Sequence, residues 1–320
     1  MQVSHRSVLS SAALAMFTVV SVAAPAQAAP ADYRAAVIAN NPYVYYRLAE
    51  TGTLTNAAAQ DSSPNTRADG IYRGNPTGGI AGQGAGSDTA VSFPGTTLTG
   101  LDYLRTTDTL AFGSQVPRSS YEFVFKSNVA NPTNQQAIFG IFSAADSTTG
   151  RTGNEAVSIE LNTANSNNAL NTDMTRMYLR DEAGVVMFGN IEHGDLLDGA
   201  YHHFVVTVDL SAANVSDKIM AYVDGIAVPV TVGQSAGGAP SDFRAFTRDP
   251  VFAARNVRGT VGLEADITLD EAALYGNTVL TPAQVAAHAT AAGFVVPEPG
   301  SLALAGIAAL GLLVRRRRHT

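Results

Sequence analysis

The sequence predicts an all-β protein, an antiparallel β-sandwich followed by one short C-terminal helix. Short segments rich in β-branched and aromatic residues recur between residues 43 and 275, and Gly, Asn, Asp and Pro separate them. Asp224 and Gly225 stand between two such segments, residues 219–223 and 226–230, a spacing that is typical of a β-hairpin. Many short strands with a single late helix favour an antiparallel sandwich.

The chain begins with the features of a secretory signal peptide. Arg6 precedes an apolar segment, residues 8–24, that contains no charged side chain. Ala26 and Ala28 then supply small residues at the two positions that a signal peptidase reads. The sequence therefore predicts a signal peptide over residues 1–28, with cleavage after Ala28. An N-terminal membrane anchor is the alternative, which the cleavage site disfavours.

The middle of the chain, residues 29–293, is predicted to form one β-rich domain. Within it, alternation of Val157, Ile159 and Leu161 with polar neighbours indicates a half-buried strand. The predicted strands cover residues 43–48, 90–93, 121–126, 137–142, 157–161, 177–180, 185–188, 203–208, 219–223, 226–230, 261–263 and 267–275. Residues 57–86, 162–173 and 233–242 are polar or glycine-rich and are predicted to be surface loops.

One helix is predicted after the last strand. Thr281 is placed as the N-cap, Pro282 follows in the first turn, and Gln284 completes a capping box. The Ala-rich sequence continues to Ala292, and Gly293 is placed to end the helix.

The C-terminal end combines three features in a fixed order. A Pro-Glu-Pro sequence precedes an uncharged apolar segment, residues 302–314, and a cluster of arginines follows at once. The residues of the first and third features are Pro297, Glu298, Pro299, Arg315, Arg316, Arg317 and Arg318. As a helix, the apolar segment would be about 20 Å long, which is short for a permanent anchor. The arginines favour a cytoplasmic C-terminus.

This arrangement resembles the PEP-CTERM sorting signal of Gram-negative bacteria, over residues 294–320. The resemblance implies processing by an exosortase-type membrane protease after transient retention in the inner membrane by the C-terminal transmembrane helix. It also implies a final location at the cell surface or in an extracellular polysaccharide or biofilm matrix. A plain tail anchor is the alternative, but such an anchor has no need for Pro-Glu-Pro beside the membrane.

Four segments of the predicted domain resemble laminin G-like, concanavalin A-like domains. Their motifs are Asn-Pro-Tyr-Val-Tyr-Tyr-Arg-Leu within 33–50, Tyr-His-His-Phe-Val-Val-Thr-Val within 201–209, Tyr-Val-Asp-Gly within 221–228, and Asp-Glu-Ala-Ala-Leu-Tyr within 267–275 followed by the helix of 281–293. The order and spacing of these motifs imply a concanavalin A-like jelly roll. Tyr201 stands where the family usually has Trp, and the chain contains no Trp at all.

Composition restricts the partners of the domain. The chain has no cysteine, so an exported domain would rely on its core and not on disulfides. Without residues 1–28 and 297–320, 15 basic and 26 acidic side chains remain, which gives a net charge of −11. Such an acidic surface disfavours nucleic acid as a partner.

Residues 264–270 are the part of the chain that resembles a catalytic strand. Glu264 and Asp266 resemble the start of the acidic strand of laminarinase-type glucanases, but Thr268 occupies the position of the second catalytic acid. Leu269 occupies the bulged register, and Asp270 is about 13 Å along the strand from Asp266. Retaining hydrolysis needs two carboxylates about 5 Å apart. The sequence therefore predicts no catalytic residue and a solvated polar strand face.

Metal binding has no diagnostic pattern in this sequence. His202 and His203 are neighbours on a predicted strand, so their side chains should point to opposite faces and not to one ion. The laminin G-like resemblance leaves calcium (Ca2+) open as a cofactor, without naming a ligand. The loop aspartates considered are Asp61, Asp88, Asp102, Asp209 and Asp217.

Together these features predict an exported, non-catalytic surface or matrix protein that binds polysaccharide or a surface protein. The expected ligand site is at the loops of one rim of the sandwich. An extracellular glycan hydrolase on the same fold and a purely structural matrix component are the alternatives. Signal peptidase and an exosortase-type protease are the expected processing partners.

Overall fold

The computed structural model describes most of the chain between Pro30 and Phe294. The described residues are 30–66, 68–84, 88–95, 101–107, 116–143, 154–163, 171, 173–181, 183–194, 196–235, 237–243, 249–257 and 260–294. The predicted signal peptide, the Pro-Glu-Pro tail and most of the 162–173 loop lie outside them. Among the described helices, none has the length and hydropathy needed to cross a bilayer.

The described chain consists mainly of strands, with two α-helices. The strands are β1 (Val44–Tyr46), β2 (Gly52–Thr53), β3 (Ala58–Ala59), β4 (Gly70–Arg73), β5 (Thr77–Ala81), β6 (Thr89–Pro94), β7 (Tyr103–Thr106), β8 (Arg118–Ser127), β9 (Gln136–Ser143), β10 (Asn154–Leu161), β11 (Met174–Arg180), β12 (Val186–Glu192), β13 (His202–Asp209), β14 (Ile219–Val223), β15 (Ile226–Val228), β16 (Val230–Gln234), β17 (Val251–Phe252), β18 (Arg255–Val257), β19 (Thr260–Gly262) and β20 (Asp266–Gly276). The α-helices are α1 (Pro30–Ala39) and α2 (Pro282–Ala291).

Most of these strands form two antiparallel sheets, which confirms the predicted β-sandwich. In the described residues, the first sheet has the order β15-β14-β13-β8-β20-β6-β5-β2, and β1 pairs with β20 beside it. The second sheet has the order β16-β12-β11-β10-β9-β17-β7-β4-β3. Strands β18 and β19 form a separate hairpin.

The two sheets pack face to face around one large hydrophobic core. Rings of Tyr121 and Phe123 on β8 lie against Phe139 on β9, with centroids 5.4 and 6.1 Å apart. Phe139 also contacts Phe252 of β17 at 5.1 Å. All four side chains are fully buried. Burial of each contributes roughly 1.5–3 kcal/mol, so this aromatic contact is a main attachment between the sheets.

Two local predictions are confirmed in detail. Asp224 and Gly225 both have positive φ, 51° and 80°, and connect β14 to β15 as a tight hairpin. In α2, the Thr281 side chain accepts a hydrogen bond from the backbone N–H of Gln284, and the Gln284 side chain caps Thr281 in return. Gly293 follows the helix at φ 90°.

Helix α1 was not predicted; it precedes the predicted strand of residues 43–48, which the structure has as β1 (Val44–Tyr46). Pro30 at the first position and the Ala-rich sequence after it favour a helix. Tyr33 and Val37, four residues apart, are buried on the outer side of the first sheet with Val285 of α2. The two helices therefore cover this sheet and leave the outer face of the second sheet for the site described next.

Candidate functional site

The outer face of the second sheet carries a group of arginine and aromatic side chains. Along β11, Met177 and Leu179 are buried in the core, so Arg176, Tyr178 and Arg180 point to the opposite side. Cross-strand pairing then places Phe188 beside Tyr178 and Asn190 beside Arg176. Glu160 of β10 lies on the other side of Arg176. The arginine–aromatic face consists of Glu160, Arg176, Tyr178, Arg180, Phe188 and Asn190.

Arg176 is the centre of this face. Its guanidinium carbon lies 5.2 Å from the centroid of the Phe188 ring, within the range of a cation–π contact. Its Nε donates to Oδ1 of Asn190 at 3.0 Å. The residue is only 5% exposed, and its Nη2 has no hydrogen-bond partner. Burial lowers the pKa of the guanidinium while Glu160 opposes that shift, and an arginine stays protonated at any ordinary pH.

Arg180 and Tyr178 form a second stacked pair along the same strand. Nη2 of Arg180 donates to the Tyr178 hydroxyl at 3.0 Å, and its guanidinium carbon lies 5.6 Å from the ring centroid. The Nε atom of Arg180 is buried without a partner. Both residues are partly exposed, so this pair is accessible from solvent.

Glu160 is held by three neighbours and is not a free carboxylate. Arg255 of β18 forms an ion pair with its Oε1, and the Ser158 hydroxyl donates to the same oxygen at 3.0 Å. Gln135 donates to Oε2 at 2.7 Å. The negative charge of Glu160 is therefore balanced by Arg255, which leaves Arg176 and Arg180 as the excess charge of this group.

Gly233 of β16 makes room for the Phe188 ring. The two residues are direct cross-strand partners, and a Cβ at Gly233 would lie 2.3 Å from Cζ of Phe188. A larger residue here would displace the ring on which Arg176 stacks. Gly233 also begins a Gly-x-Ser-x-Gly sequence, the pattern of a nucleophile elbow, but it lies inside β16 and serves packing there.

The predicted histidine pair does point in opposite directions. His202 contacts Asp198 and Asp224, at 3.2 and 2.9 Å. His203 is fully buried, and its Nε2 lies 2.7 Å from Oε1 of Glu122. The two rings therefore have separate partners.

Glu122 of β8 is the centre of a buried polar cluster beneath the two helices. It is fully buried and accepts hydrogen bonds from the hydroxyls of Tyr33 at 3.0 Å and Tyr275 at 2.6 Å. Nδ1 of His288 in α2 lies 3.0 Å from its Oε1. Although burial alone would raise the pKa of Glu122, His288 and His203 lower it well below its usual range. This cluster fastens α1 and α2 to the first sheet.

Residues 266–270 differ from the solvated face that was predicted. Thr268 and Asp270 are each 2% exposed, so the predicted solvation is wrong there. Neighbouring chain segments cover both side chains: Thr268 is bonded to Asn128, and the backbone N–H of Gln83 donates to Oδ2 of Asp270 at 2.8 Å. A β-bulge between Leu269 and Glu271 leaves Asp270 and Glu271 both on this outer side of the sheet. Asp266 binds the side-chain amide of Asn128 at 2.9 Å, and Thr268 donates to the same side chain at 2.6 Å.

Asp270 and Glu271 of β20, a central strand of the first sheet, form an acidic group with Asp88, and Arg47 is its cation. Arg47 lies 3.7 Å from Glu271 and 4.0 Å from Asp88. Burial, reinforced by the charge of Asp88, raises the pKa of Asp270 to about 7. Burial likewise raises the pKa of Glu271, and Asp270 adds to the shift.

The loop aspartates considered for calcium are engaged separately in local contacts. Asp61 accepts from the backbone of Tyr45, Ser63 and Ala68, Asp102 from Asn75, Asp209 from Ser211, and Asp217 from Asn214. These contacts are typical of turns. Within the part of the chain that the structure describes, no three His, Cys, Asp or Glu side chains are grouped to hold a metal ion.

Tyr201, which stands where the laminin G-like family usually has Trp, donates its hydroxyl to the carbonyl of Ala81 at 2.7 Å, and Nζ of Lys126 lies 4.8 Å from its ring centroid.

The arginine–aromatic face was not predicted from the sequence. The pattern that could have indicated it is the alternation of Arg176, Tyr178 and Arg180 with apolar residues along one strand.

The C-terminal residues 295–318 match the model of the PEP-CTERM protein-sorting motif. This match contains the Pro-Glu-Pro residues and the arginine cluster. The chain therefore carries the sorting signal of an exported protein that an exosortase-type membrane protease processes. A search of curated proteins finds no significant match.

Solved structures match the sandwich at low sequence identity. The binding domain of botulinum neurotoxin serotype D/C VPI 5993 has a TM-score of 0.51 at 11% identity, over 80% of this chain and 53% of that chain. A botulinum neurotoxin type C structure, reported for interaction with two ganglioside molecules, has a TM-score of 0.51 at 9% identity, over 79% and 51%. This chain thus spans about half the length of the solved chains. At such identities the likeness shows the fold alone, a β-sandwich consistent with the laminin G-like resemblance.

Proposed function

We propose that this protein is a non-catalytic surface or matrix protein that binds polysaccharide through the arginine–aromatic face. The observation that carries the proposal is the stack of Arg176 on Phe188, beside Tyr178 and Arg180, on the sheet that the helices leave uncovered. Ligand sites combine apolar or aromatic surface with a few placed polar groups. A sugar ring offers apolar C–H groups to an aromatic ring and hydroxyls to arginine and amide groups.

A glycan hydrolase on this face is the weaker candidate. Glycosidases of the common kinds need two carboxyl groups, about 5–9.5 Å apart depending on mechanism, on either side of the scissile bond. Glu160 is bound by Arg255, Ser158 and Gln135, so it is poorly placed to attack or to donate a proton. Asp266 lies on β20 of the first sheet and Glu264 forms a bridge with Ala137 of β9, so neither is one of the residues of the arginine–aromatic face.

The loops at the rim of the sandwich are the alternative location for the polysaccharide-binding site. It was predicted from the Asn- and Asp-rich loops, and the aspartates described there support their own turns. The arginine–aromatic face is favoured because the rings of Phe188 and Tyr178 are partly exposed there beside the partly exposed Arg180.

Sorting would bring this face to the cell exterior. We expect residues 1–28 to direct secretion in a Gram-negative host and to be removed after Ala28. The Pro-Glu-Pro tail would then hold the protein at the inner membrane until an exosortase-type protease releases it to the surface or matrix.

The experiment that tests the proposal is equilibrium binding of the exported protein, recovered from its host, to that host's matrix polysaccharide. Phe188→Ala should weaken binding about tenfold or more, because it removes the stacking platform. Ile226→Ala is the matched control, since Ile226 is 49% exposed on β15 of the other sheet. Equal binding by the wild type and Phe188→Ala would contradict the proposal. No binding by the wild type would favour a purely structural matrix role, and release of reducing sugar would favour the hydrolase.

A further inference from the structure

We infer that the paired helices α1 and α2 form the surface with which the unprocessed protein faces the inner membrane. The inference rests on the proposed retention of the protein by its Pro-Glu-Pro tail, and it adds the docking surface and the partner, a lipid bilayer. Three observations support it. The two ends of the domain lie together, the last described residue is fastened to the fold, and very few residues separate it from the Pro-Glu-Pro sequence.

The two helices run antiparallel, so the start of α1 lies beside the end of α2. At one end of the pair, the side chain of Asn40, just after α1, accepts a hydrogen bond from Gln284 in the first turn of α2. At the other end, the ring centroids of Tyr33 and His203 are 6.1 Å apart, and those of Phe294 and His203 are 6.2 Å apart. Both ends of the domain therefore leave the fold at one place, beside His203.

Phe294 is the last described residue, and it is still attached to the domain. Its backbone N–H donates to the carbonyl of Ala289 at 2.9 Å, and its side chain packs on the apolar cluster between the helices and the first sheet. Pro297 is only three residues further along the chain. Since a fully extended chain spans at most about 3.6 Å per residue, Pro297 lies within about 11 Å of Phe294. A membrane protease can therefore reach the Pro-Glu-Pro sequence only when this place on the domain is close to the bilayer.

The expected signal peptide is attached at the same place. Pro30 begins α1 two residues after Ala28, the expected cleavage position. Before that cleavage, the apolar segment of residues 8–24 would hold the start of α1 near the bilayer, as residues 302–314 would hold the end of α2. Both apolar segments thus bring the same surface of the domain toward the membrane.

A tether this short fixes the orientation of the domain, because the domain is wide. A compact domain of this length is about 45 Å across, which is about four times the reach of residues 295–297. The outer side of the first sheet, with its two helices, then faces the bilayer. The arginine–aromatic face lies on the opposite side of the sandwich, beyond two sheets that pack about 10 Å apart. It is turned away from the membrane and can bind polysaccharide while the protein is still retained.

The exposed surface of the helix pair is also compatible with close approach to lipid headgroups. Among the exposed helix side chains that the structure describes, Arg34 carries the only charge, and it is positive. Burying a carboxylate against a bilayer is costly, and phosphate groups would repel it. The other exposed side chains of the pair are small and uncharged. They are Ala35, Ala39, Pro282, Ala283, Ala287 and Thr290.

The test measures the reactivity of single cysteines in the retained protein, which a cysteine-free sequence allows. Thr290→Cys places a thiol on the exposed side of α2. Thr231→Cys is the matched control, since Thr231 is exposed on β16 and pairs with Asn190 of the arginine–aromatic face. The full chain is expressed in a host that lacks the processing protease, and spheroplasts are treated with a bulky maleimide-linked polyethylene glycol. Relative to Thr231→Cys, Thr290→Cys should react several-fold more slowly in the retained protein than in the processed protein released by a normal host.

A longer tether should remove this protection. A Gly/Ser linker of about 20 residues inserted after Phe294 adds a mean reach of about 25 Å, so it should restore the reactivity of Thr290→Cys and leave membrane retention unchanged. Continued protection in the linker variant would contradict the inference.

Three other results would overturn the inference, and they differ in what they say about retention. Equal relative reactivity in the retained and released proteins would overturn it and leave the proposed retention standing. Protection that requires a catalytically inactive protease would overturn it too, because the protease would then be the partner. Absence of the unprocessed protein from the membrane fraction would contradict the proposed retention itself, and the inference with it.

Discussion

Replacing Glu122 by Gln should destabilise the protein more than any surface carboxylate change. Glu122 is fully buried and has four partners at 2.6–3.0 Å, two tyrosine hydroxyls and two histidine rings. Glutamine keeps the shape but removes the charge and one acceptor oxygen, so His288 loses its counter-ion. Breaking a buried pair by removal of one partner costs about 3–5 kcal/mol. Because glutamine retains one acceptor, we expect about 3 kcal/mol.

The assay is urea unfolding followed by circular dichroism, with thermal unfolding as a second readout. A loss of about 3 kcal/mol corresponds to a fall in Tm of roughly 6–12 °C for a domain of this size. Glu192→Gln is the matched control, because Glu192 is exposed. A Glu122→Gln variant as stable as this control would refute the claim that the cluster fastens the helices to the sheet.

The stability difference between the wild type and Glu122→Gln should also depend on pH. The pKa of Glu122 is lowered from 4.5, so its contribution is complete above pH 4.5 and is lost as the pH falls through the folded pKa. The pKa of His288 is raised from 6.5, chiefly by Glu122 against the effect of burial. That contribution is complete below pH 6.5 and is lost as the pH rises through the folded pKa. The difference between wild type and Glu122→Gln should therefore be largest between pH 4.5 and 6.5, and a flat difference would contradict the ion pair.

Three further predictions concern other parts of the chain. Asp270→Asn should stabilise the protein by up to about 4 kcal/mol above pH 7 in urea unfolding, because burial raises the pKa of this carboxyl from 3.8 to about 7. The effect should be small at pH 4, where the carboxyl is largely protonated in the unfolded state too, and equal stability of the variant and the wild type at pH 8 would contradict this prediction. Gly233→Ala should weaken polysaccharide binding several-fold by displacing the Phe188 ring, whereas Gly262→Ala in β19, where an added Cβ would meet no atom within 4 Å, should leave binding unchanged. Replacing residues 315–318 with serines should let unprocessed protein escape the inner membrane in cell fractionation, and unchanged retention would show that the arginines are not the stop signal.

The elements that sequence predicted well are those with local signals. Strands β9 and β13 were predicted within one residue of their bounds, because runs of apolar and β-branched residues mark them. Helix α2 carries its own capping box, and the β14–β15 hairpin carries Asp-Gly. Helix α1 lacks such marks except for its proline, and its amphipathic pattern is weak.

The functional features depend on strand register, that is, on which residues of neighbouring strands lie opposite each other. No local sequence pattern specifies this pairing. Arg176 and Phe188 meet because β11 and β12 pair residue for residue, and Glu160 joins them through β10. The alternation of residues along β11 shows that Arg176 and Arg180 lie on the same face of the sheet. It does not show whether helices cover that face. Glu122 lies 81 and 166 positions from its histidine partners, beyond any local pattern.

The location of the ligand is the central claim, and hydrogen–deuterium exchange with and without the host's matrix polysaccharide tests it most directly. Binding should slow exchange in β10–β12 and β16, the strands that carry the arginine–aromatic face and Gly233, and leave β13–β15 of the other sheet unchanged. The structure places β3, β4 and β5 within residues 57–86, which were predicted to be a loop, so the rim is represented by residues 60–69, 162–173 and 235–242. Protection confined to these residues, with none in β11 and β12, would place the ligand at the rim and contradict the account.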